Sequence, residues 1–402
     1  MFNMFVMGNG FDIEHEIPST YKNFLIFVRV FEELIDALKY DSSLRELKER
    51  EAFEKISSIP MKYIKLSPIA REDIFKEGTI CNEFMISVNN NIWIAYFQKR
   101  MDENINVEHY NWVDIETEIS HVIKTLTEDR NKAGFISLDE DDLLTVSFNR
   151  CIPIDIIYSL MNHIANRDYN KMLFRNKEKA KADWMLLYQR MQQDFANLIR
   201  ALEIYLDYFI DKGKVEKKQA FEGLHFNRLI TFNYTDTYRK LYSKDTIPCD
   251  FIHGRADANR IAEQNNMVLG IDEFLPEETK NKDIEFIEYR KYYQRIVKRC
   301  DFGYRRVLPN WDKVNVWFFG HSLATSDREI LVHLLPKQSS ENNVTAYIYY
   351  HSEHSFKQQV VNLVQILGQD LLNELVCGAN PKIEFLNQKE FIIKAEKYLM
   401  RA

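Results

Sequence analysis

The chain has 402 residues, of which 46% are apolar and 28% charged, proportions that exclude wholesale disorder and indicate a soluble globular protein. Its formal net charge of −7 argues against nonspecific coating of DNA. The five cysteines are widely spaced, with no CxxC pair and no Cys/His ligand spacing. No apolar run reaches the ~18 residues that cross a bilayer. Composition therefore predicts a reduced, cytoplasmic protein without a disulfide framework, a metal site or a membrane partner.

Six short apolar runs along the chain predict the strands of one sheet. These runs do not alternate between polar and apolar residues, which is typical of a parallel sheet with helices on both faces. Glycine follows several of them, at the edge where open α/β sheets bring backbone close to a ligand. The runs are Phe2–Met7, Arg228–Phe232, Asp250–His253, Asn266–Leu269, Val314–Phe319 and Thr345–Tyr350.

The stretch between the first and second runs is predicted to be almost wholly helical. Apolar residues recur at three- and four-residue steps after Thr20, after Trp112 and from Leu187 onwards. A polar stretch over residues 127–142 is predicted to be a solvated loop.

This pattern predicts an α/β core built from both ends of the chain. Residues 1–20 and 223–402 form the core, and residues 21–222 form a mainly helical domain inserted after the first strand. Such an insertion would lie over the carboxyl edge of the sheet.

The first strand runs into Gly8-Asn9-Gly10-Phe11-Asp12. A G-x-G at this place can form a tight turn whose amides face an anionic group. The full G-x-G-x-x-G fingerprint is incomplete because position 13 is Ile, so a plain strand-to-helix turn is the alternative.

A second strand ends at Asn233, followed by Thr235 and Asp236. As structural residues they would form a turn and cap a helix. As functional residues, Asn233 would present an amide to a ribose hydroxyl or to a water.

Two histidines follow two further strands, each next to a glycine. His253 precedes Gly254 and suits a general base, with an ordinary pKa near ~6.5. His321 follows Gly320, and the Ser326-x-x-Glu329 spacing behind it predicts a capping box that starts a helix. The strand, the glycine turn and the helix could together form a binding site for a phosphate or a ribose. The alternative is a turn with a purely structural role.

In this order the motifs resemble the AbiH family of bacterial abortive-infection proteins. That family opens with Gly-Asn-Gly-Phe-Asp followed by Pro-Ser/Thr-x-Tyr, here Pro18 to Tyr21. Its Asn-Tyr-Thr, His-Gly and Gly-His-Ser-Leu motifs are all present, and residues 112–116 are similar to its Trp-x-Asp-x-Glu element. The resemblance implies an antiphage role that is triggered by an unknown phage component.

The motif order is more distantly similar to sirtuin-like domains, which implies a Rossmann-like (sirtuin-like) core. In that superfamily an Asn and a His flank the nicotinamide ribose of NAD, which implies Asn233 and His253 here. The Asp that follows the Asn is displaced to Asp236, and the zinc-binding cysteines are absent. These departures argue against protein deacylation and favour hydrolysis or binding of NAD or a related nucleotide.

The resemblance also implies a role for each residue in cleavage of an N-glycosidic bond. Asn233 would hold the ribose and the attacking water, and His253 would accept a proton. The glycine turn would bind the pyrophosphate, and Ser322 with Asp327 would contact the adenosine side. The expected nucleotide contacts are Gly8, Asn9, Gly10, Asp12, Asp236, Gly254, Gly320, His321, Ser322 and Asp327.

Charged segments suggest two further interpretations. Residues 289–306 hold seven basic residues interleaved with aromatics. This composition is typical of a surface that binds single-stranded nucleic acid. It also fits a helix whose Tyr293 and Ile296 face the core while its charges are solvated. Asp114, Glu116 and Glu118 could bind a metal, but alternating positions do not share one helix face. A glutamate of this element could instead reach into the cleft, although a charge at a helix N-terminus is the favoured interpretation.

Two other function classes therefore stay open beside the enzyme. One is a non-catalytic nucleotide sensor that acts through a partner. The other is a nuclease that uses the basic segment 289–306. In any of these classes the insertion could be an oligomer interface, a lid or a sensor surface.

Overall fold

A computed structural model of the chain describes residues 1–39, 64, 74–103, 115–132, 177–243, 246–272, 284, 286–300, 303, 305, 313–337 and 344–391. The strands in this part of the chain are β1 Phe2–Met7, β2 Arg228–Thr231, β3 Cys249–Phe251, β4 Val314–Phe319, β5 Val344–Tyr350 and β6 Ile383–Asn387. All are parallel and pair in the order β3-β2-β1-β4-β5-β6. The predicted α/β, Rossmann-like sheet is confirmed, and its strand order reverses between β1 and β4.

Both faces of the sheet are covered, which explains why its central strands are uniformly apolar. Every residue of β1 and β4 is buried. Met4 and Val6 point to one face, and Phe5 and Met7 to the other, as the two-residue period of a strand requires. The first face packs against the helices α8 Arg328–Leu334, α9 Glu353–Leu367 and α10 Gln369–Cys377.

The described part of the insertion is largely helical, and its apolar side chains share one hydrophobic cluster. After α1 Asn9–Glu14, its helices are α2 Tyr21–Lys39, α3 Ile80–Val88, α4 Ile92–Glu103, α5 Ile115–Lys132 and α6 Lys177–Ile204, the last extended by a π-helical turn over Tyr205–Phe209. The apolar positions that predicted α2 are buried, among them Phe24, Val28 and Phe31. Phe31 packs against Phe209 of the π-helical turn, and Phe24 packs against Tyr205 of the same turn.

A segment of the α/β core also packs into this helical cluster. Met267, Leu269 and Tyr289 are fully buried among the residues of the insertion. The ring of Tyr289 lies 4.7 Å from that of Phe195 in α6. The carboxyl edge of the sheet is thereby joined to the insertion, while the domain boundaries themselves stay a prediction.

Some local predictions are wrong. Residues 266–269 form no strand; they run beside the end of β3, where the Val268 N–H donates to the His253 carbonyl at 2.8 Å. The predicted loop 127–142 begins too early, because residues 127–132 belong to α5, and its remainder lies outside the described residues. The strand β6 was not predicted. No helix within the described ranges is long and apolar enough to cross a membrane.

Candidate functional site

The carboxyl ends of β1 and β4 approach so closely that only glycine fits between them. A Cβ on Gly8 or Gly10 would lie 2.5 or 2.6 Å from the Gly320 backbone. The N–H groups of Gly8 and Gly10 donate to the carbonyls of Phe319 and Gly320, at 3.0 and 2.9 Å. Contrary to the expectation of a phosphate cradle, both amides are already bonded to β4. The amide of Asn9 is the first of α1 and has no acceptor within that helix.

Asn233 joins the end of β2 to this glycine turn. Its Nδ2 donates to the Gly8 carbonyl at 3.0 Å, and its backbone N–H donates to Thr231 Oγ1 at 3.1 Å. The described residues contribute no bond to its Oδ1, which can therefore accept from a ligand. Asn233 also lines a cavity of about 10 Å³, room for about one water.

His253 follows β3 and is oriented by a carboxylate from beyond β4. Its Nε2 lies 3.0 Å from Oδ1 of Asp327. Because an ionised carboxylate only accepts hydrogen bonds, Nε2 carries the proton and Nδ1 keeps its lone pair. Burial lowers the pKa of His253, against the opposing effect of Asp327, so the ring is neutral at pH 7. Among the described residues, the buried Nδ1 has no hydrogen-bond partner.

His321 lies beside this pair and is also neutral. The Leu323 N–H donates to its Nδ1 at 2.9 Å, so Nε2 carries the proton and faces Asp327 Oδ2 at 3.7 Å. Burial lowers its pKa to about 4. The ring of Phe232 packs against both imidazoles, with centroids 4.2 Å from His321 and 5.5 Å from His253. The predicted histidines and Asp327 thus come together in one buried cluster.

A lysine that the sequence did not single out completes the cluster. Lys291 is 1% exposed and opens helix α7 Lys291–Val297. Its Nζ donates to Glu116 Oε2 at 2.7 Å and to Asp327 Oδ1 at 3.3 Å. Burial disfavours the ammonium, but the charges of Asp327 and Glu116 outweigh it and raise the pKa of Lys291. Lys291 and His253 in turn hold the pKa of Asp327 well below its usual range, although burial alone would raise it.

Glu116 reaches this cluster from the insertion. It lies in the first turn of α5, and the alternation with Glu118 puts the two carboxylates on different sides of that helix. Glu118 accepts from Tyr96 at 2.7 Å and from Arg100 at 3.1 Å, both in α4. Glu116 thus fits both interpretations: it lies in the first turn of α5, and its carboxylate reaches the buried cluster.

Two more charged groups border Lys291. Arg295, one helical turn along α7, donates to the Glu329 carboxylate through Nη2, while its buried Nη1 has no partner among the described residues. Burial raises the pKa of Asp272 to about 7, although Lys291 opposes the shift. Within the described ranges no group of three or more His, Cys, Asp or Glu side chains is arranged to hold a metal.

Asp12, an expected nucleotide contact, is instead a buried link between α1 and the β2 loop. Its carboxylate accepts from Thr235 at 2.5 Å and from Thr237 at 2.7 Å. Burial raises its pKa. Asp12 is 1% exposed, and it lines the same small cavity as Asn233.

Asp236 and Gly254 also have structural partners. Asp236 forms a two-fold ion pair with Arg239, at 2.8 and 2.5 Å, and lies 3.5 Å from Arg255. Gly254 has a φ of +77°, and a Cβ there would lie 1.9 Å from the Asn266 carbonyl oxygen. Its glycine is thus required by close backbone packing.

Ser322 is exposed beside His321, as a nucleotide contact requires. The predicted capping box behind it is absent: the helical turn there begins with no side-chain cap, and Glu329 pairs with Arg295 and Arg305 instead. A distant cation outcompetes the local cap because it brings a full positive charge.

The interpretation of segment 289–306 as a helix with solvated charges is also wrong. Arg290, Lys291 and Arg295 are 1–2% exposed, whereas Ile296 is 69% exposed. Lys291 and Arg295 turn inward because carboxylates from distant segments pair with them. These three buried cations are not available to contact nucleic acid, which weakens the hypothesis that the segment acts as a nuclease surface.

The motifs and their order agree with a known family model. The model described as Bacteriophage abortive infection AbiH matches residues 4–350, a span that includes the glycine turn and the whole buried cluster. The chain belongs to the AbiH family. Membership implies a role in abortive infection by bacteriophage. No curated protein matches this AbiH-family chain, and neither does any solved structure.

Proposed function

We propose that this AbiH-family chain aborts infection as a cytoplasmic enzyme that hydrolyses the N-glycosidic bond of NAD or a related nucleotide. The observation that carries the proposal is the His253–Asp327 pair, with its neutral imidazole and its unpartnered Nδ1. The pair lies at the carboxyl edge of the sheet, near the point where the strand order reverses. Open α/β sheets bind ligands in the crevice at such a point.

His253 would act as the general base. A neutral imidazole with a free lone pair can accept a proton from water or from a ribose hydroxyl. Asp327 would hold the ring in the required tautomer and stabilise the imidazolium that forms. The leaving base departs through an oxocarbenium-like transition state, in which positive charge develops on the ribose. The carboxylate of Asp327 would favour that charge electrostatically.

Asn233 and Asn9 would position the nucleotide. The bond from Asn233 Nδ2 to Gly8 fixes its carboxamide, so that Oδ1 would hold a ribose hydroxyl or the attacking water. Since the amides of Gly8 and Gly10 are taken, the pyrophosphate contact from this turn would fall to Asn9. Ser322, which is exposed, would contact the adenosine side. These assignments follow the similarity to sirtuin-like domains.

A non-catalytic nucleotide sensor is the second candidate. It is favoured by the burial of the cluster, since His253 is 5% and Lys291 1% exposed, so a ligand must rearrange the edge to reach them. A sensor signals to a partner protein, or to a second copy of the chain, through such a conformational change on ligand binding.

The test is the release of nicotinamide from NAD by the purified protein, alone and with lysate from phage-infected cells. The variants are His253→Ala and Asn233→Ala, with His354→Ala at an exposed position as the matched control. If the chain is the proposed enzyme, the wild type and the control should release nicotinamide. Both site variants should be folded and should release none. NAD binding in calorimetry without any release, even with infected lysate, would contradict the enzyme and support the sensor.

A further inference from the structure

Two buried nitrogen atoms at the cluster lack partners among the described residues. They are Nδ1 of His253 and Nη1 of Arg295, on side chains that are only 6% and 3% exposed. Arg295 pairs with Glu329, which lies two residues after Asp327, the carboxylate that orients His253. Leaving a buried donor such as Arg295 Nη1 unpaired costs free energy, which a ligand oxygen that accepts from it would recover.

Lys291 brings a full positive charge to the same place. Lys291 and Arg295 are four residues apart on α7, so they share one side of the helix. One of the carboxylates on Lys291, Asp327, belongs to the α/β core, whereas the other, Glu116, comes from the insertion. The Glu116 side chain is the more exposed of the two, 20% against 11%.

We propose that Lys291 and Arg295 form a binding site for a phosphate group of the ligand, and that the Glu116 carboxylate fills this site until the ligand displaces it. A phosphate group presents more acceptor oxygens than a carboxylate, so it can pair with Lys291 Nζ and Arg295 Nη1 together. That the phosphate belongs to a nucleotide rests on the proposed function, whereas the anion site itself does not. Displacement of Glu116 would free the first turn of α5 and so couple ligand binding to the insertion.

Calorimetric titration with inorganic pyrophosphate tests the site directly. Glu116→Gln keeps the size of the side chain but removes the competing charge, and Glu118→Gln is the matched control because that carboxylate is bound within the insertion. Glu116→Gln should bind pyrophosphate about tenfold more tightly than the wild type, since charged hydrogen bonds are roughly twice as strong as neutral ones. Glu118→Gln should bind like the wild type, and adding Arg295→Gln to Glu116→Gln should cancel most of the gain.

Equal or weaker binding by Glu116→Gln would overturn the proposal. Thermal melting checks that each variant is folded. Should Glu116→Gln fail to fold, hydrogen exchange of the wild type decides: saturating pyrophosphate should raise exchange in the peptide that contains the start of α5, and unchanged exchange would refute displacement.

The same proteins separate this site from the proposed function. Tighter binding of pyrophosphate and NAD without nicotinamide release would reject the glycohydrolase and leave the anion site standing. Nicotinamide release by the wild type, with no effect of Glu116→Gln on pyrophosphate affinity, would support the glycohydrolase and reject the anion site.

Discussion

Acidification should destabilise the folded chain through His321, by an amount that follows from its burial. Burial lowers the pKa of His321 to about 4, from an ordinary value of 6.5. Between these values the unfolded chain binds more protons than the folded chain, so this part of the free energy of unfolding is present above pH 6.5 and is lost as the pH falls towards 4. One pH unit in this window corresponds to ~1.4 kcal/mol. Lowering the pH from 7 to 5 should therefore remove about 2 kcal/mol.

Urea unfolding at pH 7 and pH 5 measures this loss. His321→Asn is the informative variant, because its side-chain oxygen can accept from the Leu323 N–H in place of Nδ1, and His354→Asn repeats the substitution at an exposed position. The loss between the two pH values should be about 2 kcal/mol smaller in His321→Asn than in the wild type and in His354→Asn. Equal losses in all three proteins would refute the burial of a neutral His321 beside Asp327.

Two further substitutions test the close strand ends and the oriented base. Gly320→Ala would place a Cβ 2.4 Å from the Phe11 nitrogen at a φ of +66°, whereas Gly368→Ala has a φ of +86° but meets no atom within 4 Å. In urea unfolding, Gly320→Ala should cost about 2 kcal/mol more than Gly368→Ala, the added cost of overpacking; similar costs would argue against the close approach. Asp327→Asn should lower the initial rate of nicotinamide release at least ~100-fold, because an amide no longer fixes the His253 tautomer; an unchanged rate would exclude this orienting role.

Much of the sheet could be predicted because a strand that is buried on both faces is an uninterrupted run of apolar residues in the sequence. The strands β1 and β4 are uninterrupted apolar runs, and every one of their residues is buried. In β6 only Ile383 and Leu386 are buried, so this edge strand has no such run. Residues 266–269 carry the run but pack with the inserted helices. An apolar run therefore predicts burial, and the partner that supplies it is a matter of tertiary structure.

The candidate site could be predicted in part, for a related reason. Histidines that follow parallel strands must meet at one edge, and His253 and His321 do lie together there, while their role in binding or catalysis stays a prediction. Which charge meets which is set by contacts between distant segments: Asp327 is 74 positions from His253, and Glu116 is 175 positions from Lys291. Periodicity indicates which side of a helix is apolar, and charged residues are expected on the opposite, solvated side. A buried ion pair is an exception to this expectation, because its partner comes from a distant segment. The sequence therefore predicts a solvated surface for the basic segment 289–306.

We propose that this edge of the sheet destroys a nucleotide to abort infection. The most direct measurement is the NAD content of phage-infected cells over time, with wild-type protein, His253→Ala or His354→Ala expressed at equal levels. NAD should fall and plaque numbers should drop with the wild type and with the exposed control, and neither should happen with His253→Ala. Protection by the wild type at constant NAD, or equal protection by His253→Ala, would contradict the account.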